Sequence, residues 1–415
     1  MKAIIITIGD EILVGQTIDT NSAHIAKKLN ELGISIAEIV SISDTSEHII
    51  RAVDGAINRC DFMFLTGGLG PTNDDITKKV LTNYFDDELV MYPEILKNIE
   101  AFFVQFNKPM LEVNRYQAML PKHARIIEND LGTASGMWFK TETCQVFSMP
   151  GVPYEMKGLL AKFLIELKKE YPIGDFYHRT LNITGIGESY LAELIKDWEE
   201  TNRNEGISVS YLPSVGMLKL RLTGRSLQKE AINERLDYLA ATYPKFVVGG
   251  EFDTLEKVIG KLMVGAGKKL GTVESCTGGS IAKRLVSVAG SSEFYQGSMI
   301  SYSNELKEKM VGVQKTTLEK YGAVSEQVVI EMADNGRQKL GVDYCISVSG
   351  IAGPTGGTEE KPVGLVWIGL ATATKTYAKK FNFGFNRERN IQATSMAALN
   401  FLRLVVLNLV DEGEE

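Results

Sequence analysis

Leu270-Gly-Thr-Val-Glu-Ser-Cys-Thr-Gly-Gly279 joins a short apolar run to a glycine turn, and the amphipathic segment Ser280 to Val288 follows it. An apolar run, a glycine turn and then helical periodicity predict a strand, a tight turn and a helix. The same order recurs early in the chain. Residues 3–8 read as a β-branched strand, and Thr20 to Leu32 carries Ala23, Ala26 and Leu29 at helical spacing before Gly33. Ile34 to Ser41 reads as strand, Glu47 to Asn58 as helix, and Asp61 to Thr66 as an apolar strand ending in Gly67-Gly68. Strand and helix in alternation predict an α/β fold with a mostly parallel sheet, whose ligands sit beyond the carboxyl ends of the strands.

A serine at such a turn projects its hydroxyl beside the free N–H groups of a helix N-terminus, which can hold an anion or a developing oxyanion. Ser275 therefore reads either as a helix cap or as a nucleophile. Downstream, Tyr302-Ser-Asn-Glu-Leu-Lys307 offers a base. With Asn304 as the N-cap, Lys307 falls at the third helical position, where the helix dipole and burial both lower its proton affinity. A neutral lysine can take the serine proton without any histidine. Tyr302 reads as a strand aromatic or as a proton relay. Cys276 is a neighbouring alternative nucleophile, and packing is the favoured reading for it.

These motifs, with Gly322-Ala-Val-Ser325 and Ser349-Gly-Ile-Ala-Gly-Pro354, stand in the order of the CinA C-terminal domain, which residues 255–410 closely resemble. That family comprises nicotinamide mononucleotide (NMN) deamidases. The resemblance implies hydrolysis of the NMN carboxamide to nicotinate mononucleotide and ammonia, with no cofactor. It implies Ser275 as nucleophile, Lys307 as base and Tyr302 as its partner. Thr277, Gly278 and Gly279, together with the loop Gly350, Ile351, Ala352 and Gly353, are expected to line the substrate pocket. Asn386-Arg387-Glu388-Arg389 opens a helix running to Leu409. Arginines there oppose the helix dipole, so they read either as phosphate ligands or as solvated charge. The resemblance favours Arg387, Arg389 or both on the NMN phosphate.

The early glycine-rich stretch Gly67-Gly-Leu-Gly-Pro-Thr-Asn-Asp-Asp-Ile-Thr77 permits three close backbone approaches, at Gly67, Gly68 and Gly70. Asp74 and Asp75 then suit either a divalent cation bridging phosphates or a helix cap. The stretch resembles the motif of MoaB/MogA-type molybdopterin-binding domains. With Gly9-Asp-Glu-Ile-Leu13, Asp19-Thr-Asn21 and Met149-Pro-Gly-Val-Pro-Tyr-Glu-Met156, residues 1–170 resemble the CinA N-terminal domain. Ser135 departs from the proline expected there. The resemblance implies metal-dependent ADP-ribose pyrophosphatase activity, with Gly9, Glu11, Asp44, Gly67, Gly68, Gly70, Asp74 and Asp75 at the site. Asp44 and Asp75 would hold a divalent metal ion. Between these ends, strands Thr180 to Thr184, Ile207 to Leu212 and Met217 to Thr223 and helices Glu188 to Glu199 and Leu227 to Ala241 form an α+β unit. It resembles the KH-like middle domain of the family, without a GXXG loop for RNA.

The expected organisation is a MoaB/MogA-like domain at 1–172, a KH-like domain at 173–252 and an α/β deamidase domain at 253–415. The 415 residues, 44% hydrophobic and 23% charged, suit a soluble multidomain protein. A net charge of −7 argues against nucleic acid as a partner. The four cysteines lack a CxxC pair, which argues against a zinc site. No apolar run is long enough for a membrane span. Met1 to Ile8 is too short for a signal peptide and leads straight into Gly9, so a cytoplasmic location is expected. Small-molecule nucleotides (NMN and ADP-ribose) are the expected ligands, and the resemblance implies a homodimer. The alternative is a competence- or damage-linked protein whose N-terminal domain only binds a pterin or a nucleotide.

Overall fold

In a computed structural model, residues 1–72, 74–171, 173 and 176–410 are described. Asn73 of the glycine-rich motif, residue 172 at the expected domain limit and the stretch 411–415 fall outside the described residues. The chain forms two compact units, Met1–Tyr177 and His178–Glu415.

Strands Lys2–Ile8 and Phe62–Thr66 are nearly continuous apolar runs because both faces of their sheet are covered. Ile4, Ile6, Met63 and Leu65 face helix Ser46–Ile57 through Ile49 and Val53. Ile5, Phe62 and Phe64 face Ile25 and Leu29 of helix Thr20–Asn30 and Met156 to Leu167 of helix Pro153–Glu170. The six-stranded sheet runs Ser35–Ile42, Lys2–Ile8, Phe62–Thr66, Gln145–Met149, Gly136–Lys140, Arg125–Ile127. Its first four strands are parallel and the last two join antiparallel.

The second unit holds two sheets. The four-stranded one runs Ser208–Ser214, Met217–Arg225, Phe176–Ile183, Val247–Gly250, and the third of these begins two residues before the unit does. Here the expected helix Glu188 to Glu199 is broken into Glu188–Leu194 and Lys196–Asn204. The break is at Ile195, whose non-helical backbone (φ −111°, ψ 18°) accompanies a buried side chain. The five-stranded sheet runs Tyr295–Ile300, Leu270–Glu274, Tyr344–Gly350, Leu365–Ala371, Thr376–Asn382. The first three strands are parallel, and Leu270–Glu274 lies between the other two. Their carboxyl ends therefore gather Ser275, Tyr302 and the Gly350 loop. Helix Glu326–Leu340 covers one face, with Val328 and Met332 against Val273. Helices Leu255–Ala266, Ser280–Val286 and Arg387–Val406 cover the other. Among the described residues no helix is long and apolar enough to cross a membrane.

Gly336 tests how closely the covering helix approaches the central strand. A Cβ there would lie 2.3 Å from Val273 Cγ2 and 2.9 Å from Cys345 Sγ. Gly336→Ala gains ~1 kcal/mol of helix propensity, but overpacking a tight core costs ~1–3 kcal/mol. A lower urea midpoint is expected. A raised midpoint contradicts the close approach.

Candidate active site

The strand Leu270–Glu274 ends in a buried glutamate. The Glu274 carboxylate accepts from the N–H groups of Gly279 (2.9 Å), Ile281 (3.1 Å) and Ala282 (2.8 Å). It thereby holds the first turn of helix Ser280–Val286 back against the strand. Gly278 and Gly279 supply the left-handed backbone this requires, at φ +57° and +94°. The turn is fastened further by Gly278 N–H to Ser275 O and by Ser275 N–H to Val348 O, both 3.1 Å.

These bonds correct the expectation of an open helix terminus. The N–H groups of Gly278 and Gly279 are engaged internally, so those glycines shape the turn. Among the described residues, the Cys276 and Thr277 N–H groups have no hydrogen-bond partner in this turn. The buried Thr277 Oγ1 also lacks a partner. The sequence offered no signal for Glu274 beyond its place before Ser275.

Lys307 reaches this turn from a different helix. Ser303 caps that helix, its Oγ accepting from Leu306 N–H at 3.2 Å, so the cap is one residue before the expected Asn304. Asn304–Leu306 is α-helical, and Lys307–Val311 continues as a π-helical turn, a rare feature frequent at functional sites. Lys307 is 1% exposed. Its Nζ lies 2.8 Å from Ser275 Oγ, 2.9 Å from Ser301 O and 3.2 Å from Tyr302 O. Burial pulls its pKa down to about 8, against a small opposing effect from Cys276. The two carbonyls occupy two N–H groups of a neutral amine, and the remaining lone pair then faces the Ser275 hydroxyl. Cys276 is buried beside them, and burial pushes its thiol up to about 12. It is therefore a protonated packing residue. A Cβ on Gly350 would sit 3.1 Å from its sulfur and 2.6 Å from Val366 Cγ2, so the loop strand needs glycine to close on the turn.

Tyr302 is 59% exposed. Its carbonyl contacts Lys307, while its hydroxyl accepts from Arg387 at 3.4 Å. The expected link from the Tyr302 hydroxyl to Lys307 is not among these contacts. Arg387 also donates to Gly353 O at 2.8 Å. The buried Asn390 amide donates to Ala352 O at 3.0 Å, and Ile351 pairs through its N–H with Leu365 O at 2.9 Å. Arg387 thus joins the loop to Tyr302 at one rim. Arg389 parts from it and lines a separate cavity with Phe381 and Phe383.

In the first unit, Gly9 and Gly67 end neighbouring parallel strands. A Cβ on Gly67 would meet Ile8 O at 2.0 Å, so only glycine fits this crossing. Neither Asp74 nor Asp75 caps the following helix Thr77–Tyr84, whose N-cap is Ile76 without a side-chain bond. The Asp75 carboxylate instead accepts from the Thr72 N–H and hydroxyl. Asp44 has a raised pKa, from burial first and then from the charges of Asp10, Asp74 and Glu11. Among the described residues no three carboxylate, histidine or cysteine side chains form a metal cage. The donors present suit a hard cation that takes one or two carboxylates and completes its shell from water and phosphate. The buried Asn21 Oδ1 and Thr77 Oγ1 lack partners beside the glycine turn. A Cβ on Gly68 would lie 2.2 Å from that Thr77 oxygen. The turn is thus a cradle lined by buried polar atoms that lack a partner among the described residues. Lys78, not anticipated from the sequence, follows this turn with its pKa pulled down to about 8 by burial.

Family models match three stretches of the chain. They are the CinA C-terminal domain at residues 252–406, the damage-inducible protein CinA KH domain at 178–242 and a probable molybdopterin binding domain at 4–169. A CinA-like protein of Cytophaga hutchinsonii is 44% identical over 405 residues, 96% of each chain. Another from Flavobacterium psychrophilum is 41% identical over 414 residues, 98% of this chain and 99% of that one. The competence/damage inducible protein CihA from Agrobacterium tumefaciens, a crystal structure, is 36% identical with a TM-score of 0.36, covering 37% of this chain and 93% of its own. With matches of this extent from end to end, the chain belongs to the CinA family.

Proposed function

We propose that the second unit is a serine amidohydrolase that deamidates NMN. The observation that supports this most is the 2.8 Å approach of Lys307 Nζ to Ser275 Oγ, made by an amine whose other hydrogens face Ser301 O and Tyr302 O. Ser275 Oγ attacks the carboxamide carbon as its proton passes to Lys307 Nζ. The oxyanion that forms is met by the Cys276 and Thr277 N–H groups, fixed before reaction by the Glu274 clasp. The intermediate collapses with cleavage of the C–N bond. Lys307 returns its proton to the leaving nitrogen, which departs as ammonia. Water then attacks the Ser275 ester, giving a proton to Lys307 and releasing nicotinate mononucleotide, and the proton returns to Ser275 Oγ. Arg387, at the rim beside Tyr302 and Gly353, suits the NMN phosphate through charge-assisted bonds.

For the first unit, the polar cradle at Gly67 and Gly68 supports an ADP-ribose pyrophosphatase reading. Asp44 and Asp75 would hold a divalent cation there, which would supply charge neutralisation on the diphosphate. Binding of a pterin or nucleotide without hydrolysis is the second reading, and the same unpartnered Asn21 and Thr77 oxygens support it. ADP-ribose turnover by the purified protein with and without added magnesium separates the two.

Ser275→Ala is expected to abolish ammonia release from NMN, whereas Cys276→Ala retains it. The reverse pattern makes the thiol the nucleophile. Because the active Lys307 is neutral, kcat/KM should rise with pH and level off above about 8. A profile flat from pH 6 to pH 9, on the order of one pH unit or more on each side of that value, removes lysine as the base. Glu274→Gln keeps the side chain's shape but places an N–H₂ against backbone donors. A fall in kcat of about 10- to 1,000-fold with little change in KM is expected, the scale of losing oxyanion alignment. Parent-like kcat contradicts the clasp. Arg387→Ala should raise KM for NMN by about 10- to 100-fold, the value of one charged hydrogen bond. It should leave nicotinamide riboside use nearly unchanged, and an equal loss on both substrates contradicts phosphate binding.

A further inference from the structure

Apart from the Ser275 site, the second unit contains a cavity of about 670 Å³. This is within the size range of small-molecule sites. One wall is the aromatic run Phe381, Phe383 and Phe385. The first two rings stack at 5.6 Å and 8°, and Phe385 is 48% exposed. The turn Gly185 to Glu188 and the hairpin around Gly216 also line the cavity. Lys245, Lys379 and Arg389 line the cavity against one acidic residue, Glu188. Ser275, Tyr302, Lys307 and Arg387 are not among its lining residues.

The walls are held in register by buried polar bonds. Arg403, 1% exposed, donates to Pro244 O (3.2 Å), Lys245 O and Val247 O (3.0 Å), and its Nε donates to Asn400 Oδ1 (3.0 Å). These bonds pin the segment before strand Val247–Gly250 to the helix Arg387–Val406. The hairpin is pinned by Thr184 Oγ1 donating to Gly216 O at 2.7 Å. It also packs so closely on the helix that a Cβ on Gly216 would lie 2.8 Å from Met396 Cβ. The cavity is therefore formed before any ligand arrives, which lowers the ordering cost of binding.

Arg389 adds a second kind of observation. It occupies the first turn of its helix, where the dipole disfavours a cation by ~0.3–1 kcal/mol. That placement gains nothing for the helix, yet it adds positive charge to an aromatic-walled cavity. Flat apolar walls with an excess of cations are complementary to a ring that carries a negative group.

We propose that this cavity binds a small planar aromatic anion, a carboxylate or a phosphate, independently of the Ser275 site. The test is a fluorescence titration of the full chain with anilinonaphthalene sulfonate, an anion built on a flat naphthalene ring, and with the neutral phenylnaphthylamine. The sulfonate should saturate one site per chain, remain bound in excess NMN, and bind about 10-fold tighter than the neutral dye, the scale of one charged hydrogen bond. Arg389→Ala and Lys379→Ala should each weaken the sulfonate by a similar factor of about 10. Arg389→Ala should do so with no loss of thermal stability, since it removes an unfavourable dipole contact. Ala397→Trp, which fills the cavity, should abolish the site. Equal affinity for the two dyes means a plain apolar patch and overturns the proposal. So does parent-like sulfonate affinity in both charge variants, or displacement of the dye by NMN. Dye affinity that falls as the protein dimerises, followed by sedimentation, means that a second copy covers the cavity and likewise overturns it.

Discussion

Burying the Lys307 amine at the end of the central strand is the constraint around which the second unit is organised. An ammonium is costly to remove from water, and here no carboxylate neutralises it. Among the described residues, Nζ is partnered by Ser275 Oγ and two backbone carbonyls. Neutralisation is the alternative to that cost, and it turns the side chain from a donor into a base. The two carbonyls come from the segment just after strand Tyr295–Ile300, and the serine from the end of the adjacent parallel strand. A parallel pair is therefore what sets the distance between Lys307 and Ser275. A shift of register by one residue would turn the strand's side chains to the opposite face.

Glu274 complements this arrangement from the other side of the same turn. Three backbone N–H groups point at one buried carboxylate, so the helix terminus has its own internal anion. This leaves the terminus with less capacity for an external phosphate and sets apart the two N–H groups nearest Ser275. In the proposed reading, phosphate recognition falls to the rim, where Arg387 meets Tyr302 and Gly353. The proposed function thus divides its charges between a buried turn and an exposed edge, which suits a substrate with a neutral amide at one end and a phosphate at the other.

Much of this was legible in the sequence because it is local. Ser275 and Lys307 stand in motifs whose strand–turn–helix reading depends only on apolar runs and glycines. The alternation at 3–8, 34–41 and 61–66 reports a doubly covered parallel sheet. What was not legible depends on partners distant in sequence or on hydrogen-bond choice. Spacing alone does not reveal that Arg387 and Arg389, two residues apart, face different sites. It does not show that Tyr302 offers its carbonyl to Lys307 and its hydroxyl to Arg387. Glu274 looks like an ordinary strand end until the turn folds back on it. The expected cap at Asn304 moved to Ser303 because either residue suits a cap, and only the backbone decides between them. The expected helix from Glu188 broke at Ile195, where burial of the side chain accompanies a non-helical backbone.

Direct titration of Lys307 tests the central claim. Lysine labelled with carbon-13 at the ε position, followed by NMR across pH in the intact protein and assigned with Lys307→Arg, reports the ionisation of this amine alone. The expected result is a midpoint near 8, displaced from the ordinary lysine value of 10.5. A midpoint at the ordinary lysine value means a charged amine at working pH, which cannot accept the Ser275 proton, and it would contradict the neutral-lysine mechanism.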